Sequence, residues 1–155
     1  MKKNIYQPLK AEIQDIIQET PTIKTFVLKP NLEFSFQTGQ FIELTVPGLG
    51  EAPFTPSSDP SVNTSIDLTV MNVGLITSKL HIMDKGGVLG IRGPYGKGYP
   101  LDNFKGRDIL IVGGGVGLAP LRSLIFSLFA DIDNYNKIVL RYVRARPKIL
   151  CIKIR

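Results

Sequence analysis

The chain holds one cysteine, Cys151, one histidine, His81, and no tryptophan. A lone cysteine excludes an internal disulfide and any cysteine-built zinc site or iron–sulfur cluster within this chain. With a single histidine, no Ser-His-Asp or Cys-His set suggests itself, and no carboxylate pair stands out; His81 reads as an exposed helical residue. No apolar run approaches the roughly 20 residues of a membrane-spanning helix. The start, Met1-Lys-Lys-Asn-Ile5, leads into no secretory segment. These absences point to a protein without a membrane span, working in a reducing cytoplasm.

Acid is missing from one region only. Residues 137–155 carry seven Lys or Arg and no Asp or Glu, so the preceding 136 residues hold twelve basic and thirteen acidic groups. The formal charge of +6 therefore belongs to the tail. A nucleic-acid binder needs a basic face spread through its fold, with aromatic partners. The body of this chain, at a net of −1, excludes that class.

Period-2 alternation is plentiful. Glu12–Ile17, Ile23–Leu28, Phe41–Val46, Ser65–Val70 and Val88–Arg92 read as short strands punctuated by Gly and Pro, the pattern of an antiparallel barrel. Between the last two, Gly74–Met83 reads as a capped helix, with Thr77 or Ser78 as N-cap and Ile76, Leu80 and Met83 inward. The period changes after Lys105. Ile109–Val112 is a continuous apolar strand, Leu118–Ala130 is helical, and Ile138–Tyr142 is a second strand. Those three make one parallel βαβ unit. The expected fold is β plus α/β: an antiparallel barrel of about six strands over residues 1–104, then an incomplete Rossmann-like βαβ unit over 105–155.

The junction of that unit is Asp108-Ile-Leu-Ile-Val-Gly-Gly-Gly-Val-Gly-Leu-Ala-Pro120. Four glycines in five positions between a strand and a helix let a phosphate or ribose lie against the main chain. Pro120 suits the first helical turn, where its missing N–H has no partner to lose. The spacing is G-x-G-x-G, with Leu118 at the sixth position of the dinucleotide fingerprint, so a plain tight turn before a buried helix is the alternative.

Four motifs occur in order: Pro53-Phe-Thr-Pro-Ser-Ser58, Leu68-Thr-Val-Met-Asn-Val-Gly-Leu-Ile-Thr77, Gly90-Ile-Arg-Gly-Pro-Tyr-Gly96 and Gly113-Gly-Gly-Val-Gly-Leu-Ala-Pro120. This order resembles the ferredoxin–NADP reductase superfamily, in which a flavin-binding β-barrel precedes a pyridine-nucleotide domain. Within it, the chain is most similar to hydrogenase gamma subunits, anaerobic sulfite reductase B subunits and dihydroorotate dehydrogenase electron-transfer subunits. The resemblance runs from about Tyr6 to Tyr142. It implies FAD and NAD(P)H as cofactors and an iron–sulfur or hydrogenase/reductase-type partner subunit. The activity it implies is passage of electrons from NAD(P)H through the flavin to that partner, with the cofactor carrying the chemistry. A non-catalytic flavin-binding assembly subunit, or an inactive fragment, is the rival reading.

By the same resemblance, Ala52-Pro-Phe-Thr55 stands at the family's Arg-x-Tyr-Ser box. Phe54 keeps the ring that stacks on the flavin, unless it is simply core. Thr55 keeps the hydroxyl placed near the flavin N5 and is the catalytic candidate. Ala52 lacks the arginine that pairs with the pyrophosphate. Val73, Gly74, Thr77 and Ser78 are assigned to the flavin phosphates, and Gly113, Gly114, Gly115, Val116, Gly117 and Pro120 to the pyridine nucleotide. Gly93 and Gly96 are turn residues, with Tyr95 and Tyr99 as further ring contacts. Arg122 faces either nucleotide or a surface ion partner. The acidic residue that selects NAD over NADP about 20 positions past the glycines is not evident.

Relatives continue for roughly another hundred residues, whereas likeness here stops at Tyr142. A frameshift or early stop is one expectation, leaving an exposed apolar face on the βαβ unit. A basic docking strand for an acidic partner is the other.

Overall fold

A computed structural model describes residues 6–143 and 149–154. Six strands form one antiparallel sheet: β1 (Leu9–Thr20), β2 (Ile23–Pro30), β3 (Phe41–Val46), β4 (Gly50–Phe54), β5 (Ile66–Met71) and β6 (Val88–Tyr95), in the order β4-β3-β6-β1-β2-β5. The alternation seen in sequence is the burial pattern. Ile42, Leu44 and Val46 of β3, Ile66, Leu68 and Val70 of β5, and Phe26 and Leu28 of β2 are all at most 2% exposed and share one core. Each such side chain contributes about 1.5–3 kcal/mol by leaving water, which offsets the cost of ordering these short strands.

β4 was not legible as a strand. It contains Pro53, and proline is tolerated in a ladder only at an edge. β4 is such an edge, paired with β3 alone through Ile42↔Phe54, Leu44↔Ala52 and Thr45↔Glu51. The two end strands, β4 and β5, share no ladder. Ser57 and Ser58, just past β4, bridge them: the Ser57 amide donates to the Asp67 carbonyl at 2.8 Å, and the Asp67 amide donates to Ser58 Oγ at 3.1 Å. Buried Ser57 continues into a row of hydroxyls, with Thr69 at 2.9 Å and Thr25 a further 2.9 Å on, ending at Glu19 Oε1. Thr25 donates to the carboxylate, so Thr69 donates to Thr25. Polar groups buried on the outer face of β2 and β5 are thus all paired.

Between β5 and β6 lies α1 (Leu75–His81), with Leu80 buried and Ile76 and Met83 packed on the same core. Its N-cap is Gly74, not Thr77 or Ser78. Thr77 sits one turn inside and reaches back, its Oγ accepting from the amides of Val73 (2.9 Å) and Gly74 (2.8 Å). The helix starts earlier than the side-chain preference suggested because that reach satisfies the chain entering it. His81 is also not the exposed residue expected. It is half-buried, its Nε2–H donates to the Val70 carbonyl at 3.0 Å, and its ring meets Phe26 edge-on at 5.9 Å.

The second unit has its own core, in which Ile111, Leu124, Leu128, Tyr135 and Ile138 are buried and Leu101 and Phe104 pack against them. It comprises β7 (Asp108–Gly114), a 3₁₀ turn (Gly115–Leu118), α2 (Ala119–Ala130) and β8 (Lys137–Val143), with β7 and β8 parallel. The helix proper starts one residue later than the sequence suggested, since the last glycines wind into the 3₁₀ turn. A strand absent from the sequence reading, β9 (Ile149–Ile154), runs antiparallel to β8. Residues 144–148, part of the basic tail, lie outside the described residues. β7 is an edge, and its Leu110 and Val112 are each 59% exposed, the apolar face that was expected.

Candidate functional site

Two groups of predicted residues meet at β4 and α1. α1 approaches both β3 and β4 to within 8 Å between Cα atoms. Ala52 and Phe54 share the face of β4 that looks toward Leu44 and Ile42, and so toward α1; Phe54 is half-buried at the rim of the core. It therefore does some of the packing that the alternative reading assigned to it, while keeping an accessible side. Thr55 follows, also half-buried, and its hydroxyl has no hydrogen-bond partner among the described residues. A hydroxyl held without a protein partner is available to a ligand atom.

At the start of α1 the roles divide. The Thr77 hydroxyl is consumed: besides the two amides it accepts, it donates to the Gly74 carbonyl at 2.9 Å. The Ser78 hydroxyl donates to Asn72 Oδ1 at 2.7 Å. Neither side chain is thus free for a phosphate, and the amides of Val73 and Gly74 are also taken. What remains are the first-turn amides from Leu75 to Thr77, carrying the positive end of the helix. Beside them, a cleft of about 560 Å³ runs between the β3–β4 turn and α1, lined by Pro47, Leu49, Leu75, Ser78, Lys79 and Ile82. Leu75 is 71% and Ile82 73% exposed.

The opposite face of β4 is fully engaged. Glu51 takes a forked contact from Arg92 on β6, with Nε 2.9 Å from Oε1 and a shorter bond from the second nitrogen, and also accepts from Thr45 at 2.7 Å. These hydrogen bonds, Arg92 first, hold its carboxyl down at about 2. Successive strand residues face opposite sides, so Arg92 cannot reach round to replace the arginine missing at Ala52. Tyr95 belongs to this face, its ring against Phe41 at 5.8 Å and its hydroxyl 3.3 Å from Arg92. The Tyr95 ring thus packs on Phe41 and remains half-buried.

The glycine turn approaches the barrel at β5, again within 8 Å. Its glycines are not equivalent. A Cβ at Gly113 would press on Leu121 and one at Gly114 on the Val143 carbonyl, both at 3.0 Å, so these two serve close packing. Gly115 has φ +53, a left-handed conformation that costs other residues about 1 kcal/mol or more. At Gly117 neither constraint applies: φ is ordinary and nothing lies within 4 Å of a Cβ. Gly74 is the same. The fold does not require glycine at these two positions, so the space they leave is clearance over the surface. Val116, between Gly115 and Gly117 in the chain, is half-buried, and Pro120 lies in the first turn of α2, as expected.

Arg122 forms no ion pair within 4 Å among the described residues. It lies within electrostatic reach of Asp67 on β5, whose half-buried carboxyl is pushed up by desolvation and drawn part-way back by that guanidinium. Asp67 and Thr38 at this junction escaped the sequence reading, because nothing in their local pattern marks partners 55 and 85 residues away, Arg122 and Ser123.

A barrel with an open β4–α1 rim, joined to a glycine-turned βαβ unit, defines a class of two-part proteins in which an antiparallel barrel precedes a parallel α/β unit. The match to a family model settles which. Residues 10–99, more than half of the chain, match the oxidoreductase FAD-binding domain, and the chain belongs to that family. It is 38% identical over 144 residues to the sulfhydrogenase 2 gamma subunit of Pyrococcus furiosus, covering 90% of this chain and 49% of that one. It is 42% identical over 118 residues to a probable dihydroorotate dehydrogenase B (NAD(+)) electron transfer subunit of Methanocella arvoryzae, covering 76% and 42%. The chain spans about half the length of these curated relatives. Among solved structures, the cytochrome P450 reductase GcoB of Amycolatopsis superposes with a TM-score of 0.79 at 23% identity over 89% of this chain and 43% of that one. Phthalate dioxygenase reductase gives 0.76 at 21%, over 90% and 44%. Both share the fold. Among the described residues, no helix is long and apolar enough to cross a membrane.

Proposed function

We propose that this chain is the flavin-binding part of an NAD(P)H-linked electron-transfer oxidoreductase, and that it divides near residue 104 into a flavin barrel (1–104) and a nucleotide unit (105–155). The observation that carries the reading is convergence. α1, whose first-turn amides are unpaired, comes within 8 Å of β4, the strand that ends at Phe54 and leads into the unpartnered Thr55 hydroxyl, while the glycine turn comes within 8 Å of β5 in the same sheet.

In this reading, Phe54 packs against the flavin ring and Thr55 offers its hydroxyl to a ring nitrogen. The amides at the start of α1 take the pyrophosphate without help from an arginine. Thr77 holds those amides in place rather than touching phosphate. The apolar cleft of Leu49, Leu75 and Ile82 suits an adenosine, which favours FAD over FMN. Gly115 and Gly117 give a pyridine nucleotide access to the main chain, with Gly113, Gly114 and Pro120 shaping the turn. FAD, when bound, accepts a hydride from NAD(P)H and releases electrons singly.

The relatives are, by name, a hydrogenase subunit and an electron transfer subunit. That supports a hydrogenase- or reductase-type partner subunit for this chain, and its single cysteine is in keeping with a reducing, cytoplasmic site of action. Anaerobic titration tests the reading: the chain reconstituted with FAD should turn yellow and bleach with NADH or NADPH. A yellow protein that responds to neither nucleotide is a flavin-binding subunit without turnover. Failure to take up FAD at all overturns the assignment.

A further inference from the structure

Across the boundary between the two cores, one hydrogen bond stands out. Thr38, in the connection between β2 and β3, meets Ser123 of α2 with their hydroxyl oxygens 3.0 Å apart. Thr38 is 3% and Ser123 0% exposed. Among the described residues it is the one hydrogen bond joining residues 9–99 to residues 105–143. Of the three ion pairs, Lys85–Asp15 and Arg92–Glu51 lie within the barrel, and Asp102–Lys105 joins residues three apart at the boundary itself.

Both ends of this bond are anchored. The Thr38 carbonyl accepts the Tyr99 amide at 2.9 Å, and the Gln40 side chain donates to the Gly96 carbonyl at 2.9 Å. Gly39 has φ +91, and a Cβ there would meet the Tyr99 ring at 2.8 Å, so the backbone lies directly against that ring. On the other side, Ser123 sits in the second turn of α2, and Ser127 Oγ donates to its carbonyl at 3.1 Å. A helix is stiff over this length. Ser123 is only about 6 Å along the axis from Ala119, where the glycine turn ends. Fixing Ser123 against Thr38 therefore fixes where the glycine turn stands over β5.

We propose that Thr38 and Ser123 are a positioning pair: their buried bond latches the nucleotide unit to the barrel and sets the approach of a pyridine nucleotide to the flavin. The proposal rests on the function proposed above. It assigns neither residue contact with cofactor or substrate. The packing around this boundary leaves one buried hydrogen bond to fix the register of α2 on the barrel, and small misplacements of reacting groups slow transfer strongly.

The test uses the full chain loaded with FAD, comparing wild type with Ser123→Ala, Thr38→Val and Thr38→Ser. Three quantities are read: flavin affinity by fluorescence, the anaerobic rate of flavin reduction by NADH against that by dithionite, and hydrogen exchange of the peptide containing the Tyr99 amide. Loss of the hydroxyl pair should speed exchange and slow reduction by NADH, each about three- to ten-fold, the range of one buried hydrogen bond. FAD affinity and the dithionite rate should stay within two-fold of wild type, and Thr38→Ser should behave as wild type. Unchanged exchange and unchanged NADH rate in both Ser123→Ala and Thr38→Val would overturn the latch. A matching loss of FAD affinity would show general damage and overturn the positioning role. If wild type binds FAD but NADH does not reduce it, the nucleotide step of the proposed function fails, and the exchange measurement alone decides whether the latch exists.

Discussion

Thr77 and Gly74 are bound to each other twice: the Thr77 hydroxyl accepts the Gly74 amide at 2.8 Å and donates to the Gly74 carbonyl at 2.9 Å. The residue that a motif reading places on the phosphate is instead the brace of the loop that presents the amides. Thr77→Val should lower stability by about 0.5–2 kcal/mol, as lost helix caps do, and weaken FAD binding in step with it. Thr77→Ser should restore both. Thermal melts and flavin titrations check this, and a stable Thr77→Val protein with selectively lost FAD binding would return the hydroxyl to the phosphate.

Gly117 and Gly115 separate the needs of the fold from those of a ligand. Gly115→Ala should destabilise by about 1 kcal/mol through its left-handed backbone. Gly117→Ala meets open space at an ordinary φ and should leave the melting temperature unchanged or slightly raised. Its effect should fall on pyridine-nucleotide binding, measured as the NADH concentration that half-saturates flavin reduction. No change there would place the nucleotide elsewhere.

Ala52 shares a strand face with Phe54, so an arginine introduced there is carried to the rim beside α1. Ala52→Arg should tighten FAD about five- to thirty-fold, the yield of about 1–2 kcal/mol from a charge-assisted contact. FMN should gain less. Phe54→Ala should weaken both flavins, because they share the ring. Fluorescence titration of the apoprotein reads all four values.

Two carboxylates should show opposite pH behaviour. Glu51 has its carboxyl lowered to about 2 by Arg92 and Thr45. Its stabilisation is present above its ordinary pKa of about 4.5 and is lost as pH falls from there through 2. Wild type and Glu51→Gln should differ by about 1–3 °C in Tm near pH 7, the scale of a partly exposed pair, and converge near pH 2. Asp67 is raised by burial, so its ionisation works against folding. Stability associated with it is complete below 3.8 and declines as pH rises through the raised value. Asp67→Asn should therefore gain on wild type above that pH and lose its advantage in acid.

Much of the architecture was settled by residue order alone. Alternation at Phe41–Val46 and Ile66–Val70 could bury only one face, and the change of period after Lys105 marked where parallel pairing begins. The glycines ahead of Pro120 marked the passage from strand to helix, and the motif order pointed to the family. Those properties are local, set by side-chain size, backbone freedom and the spacing of apolar residues. Tertiary structure decided the rest. It made β4 a strand by putting Pro53 on an edge, and drew His81 under the Val70 carbonyl. It turned Thr77 from ligand to brace, set Arg92 on the wrong face to replace an arginine at Ala52, and joined Thr38 to Ser123 across 85 positions. Each of these depends on which surfaces meet after folding, and hydrogen-bond partners so distant in sequence leave no periodic trace in the chain that encodes them.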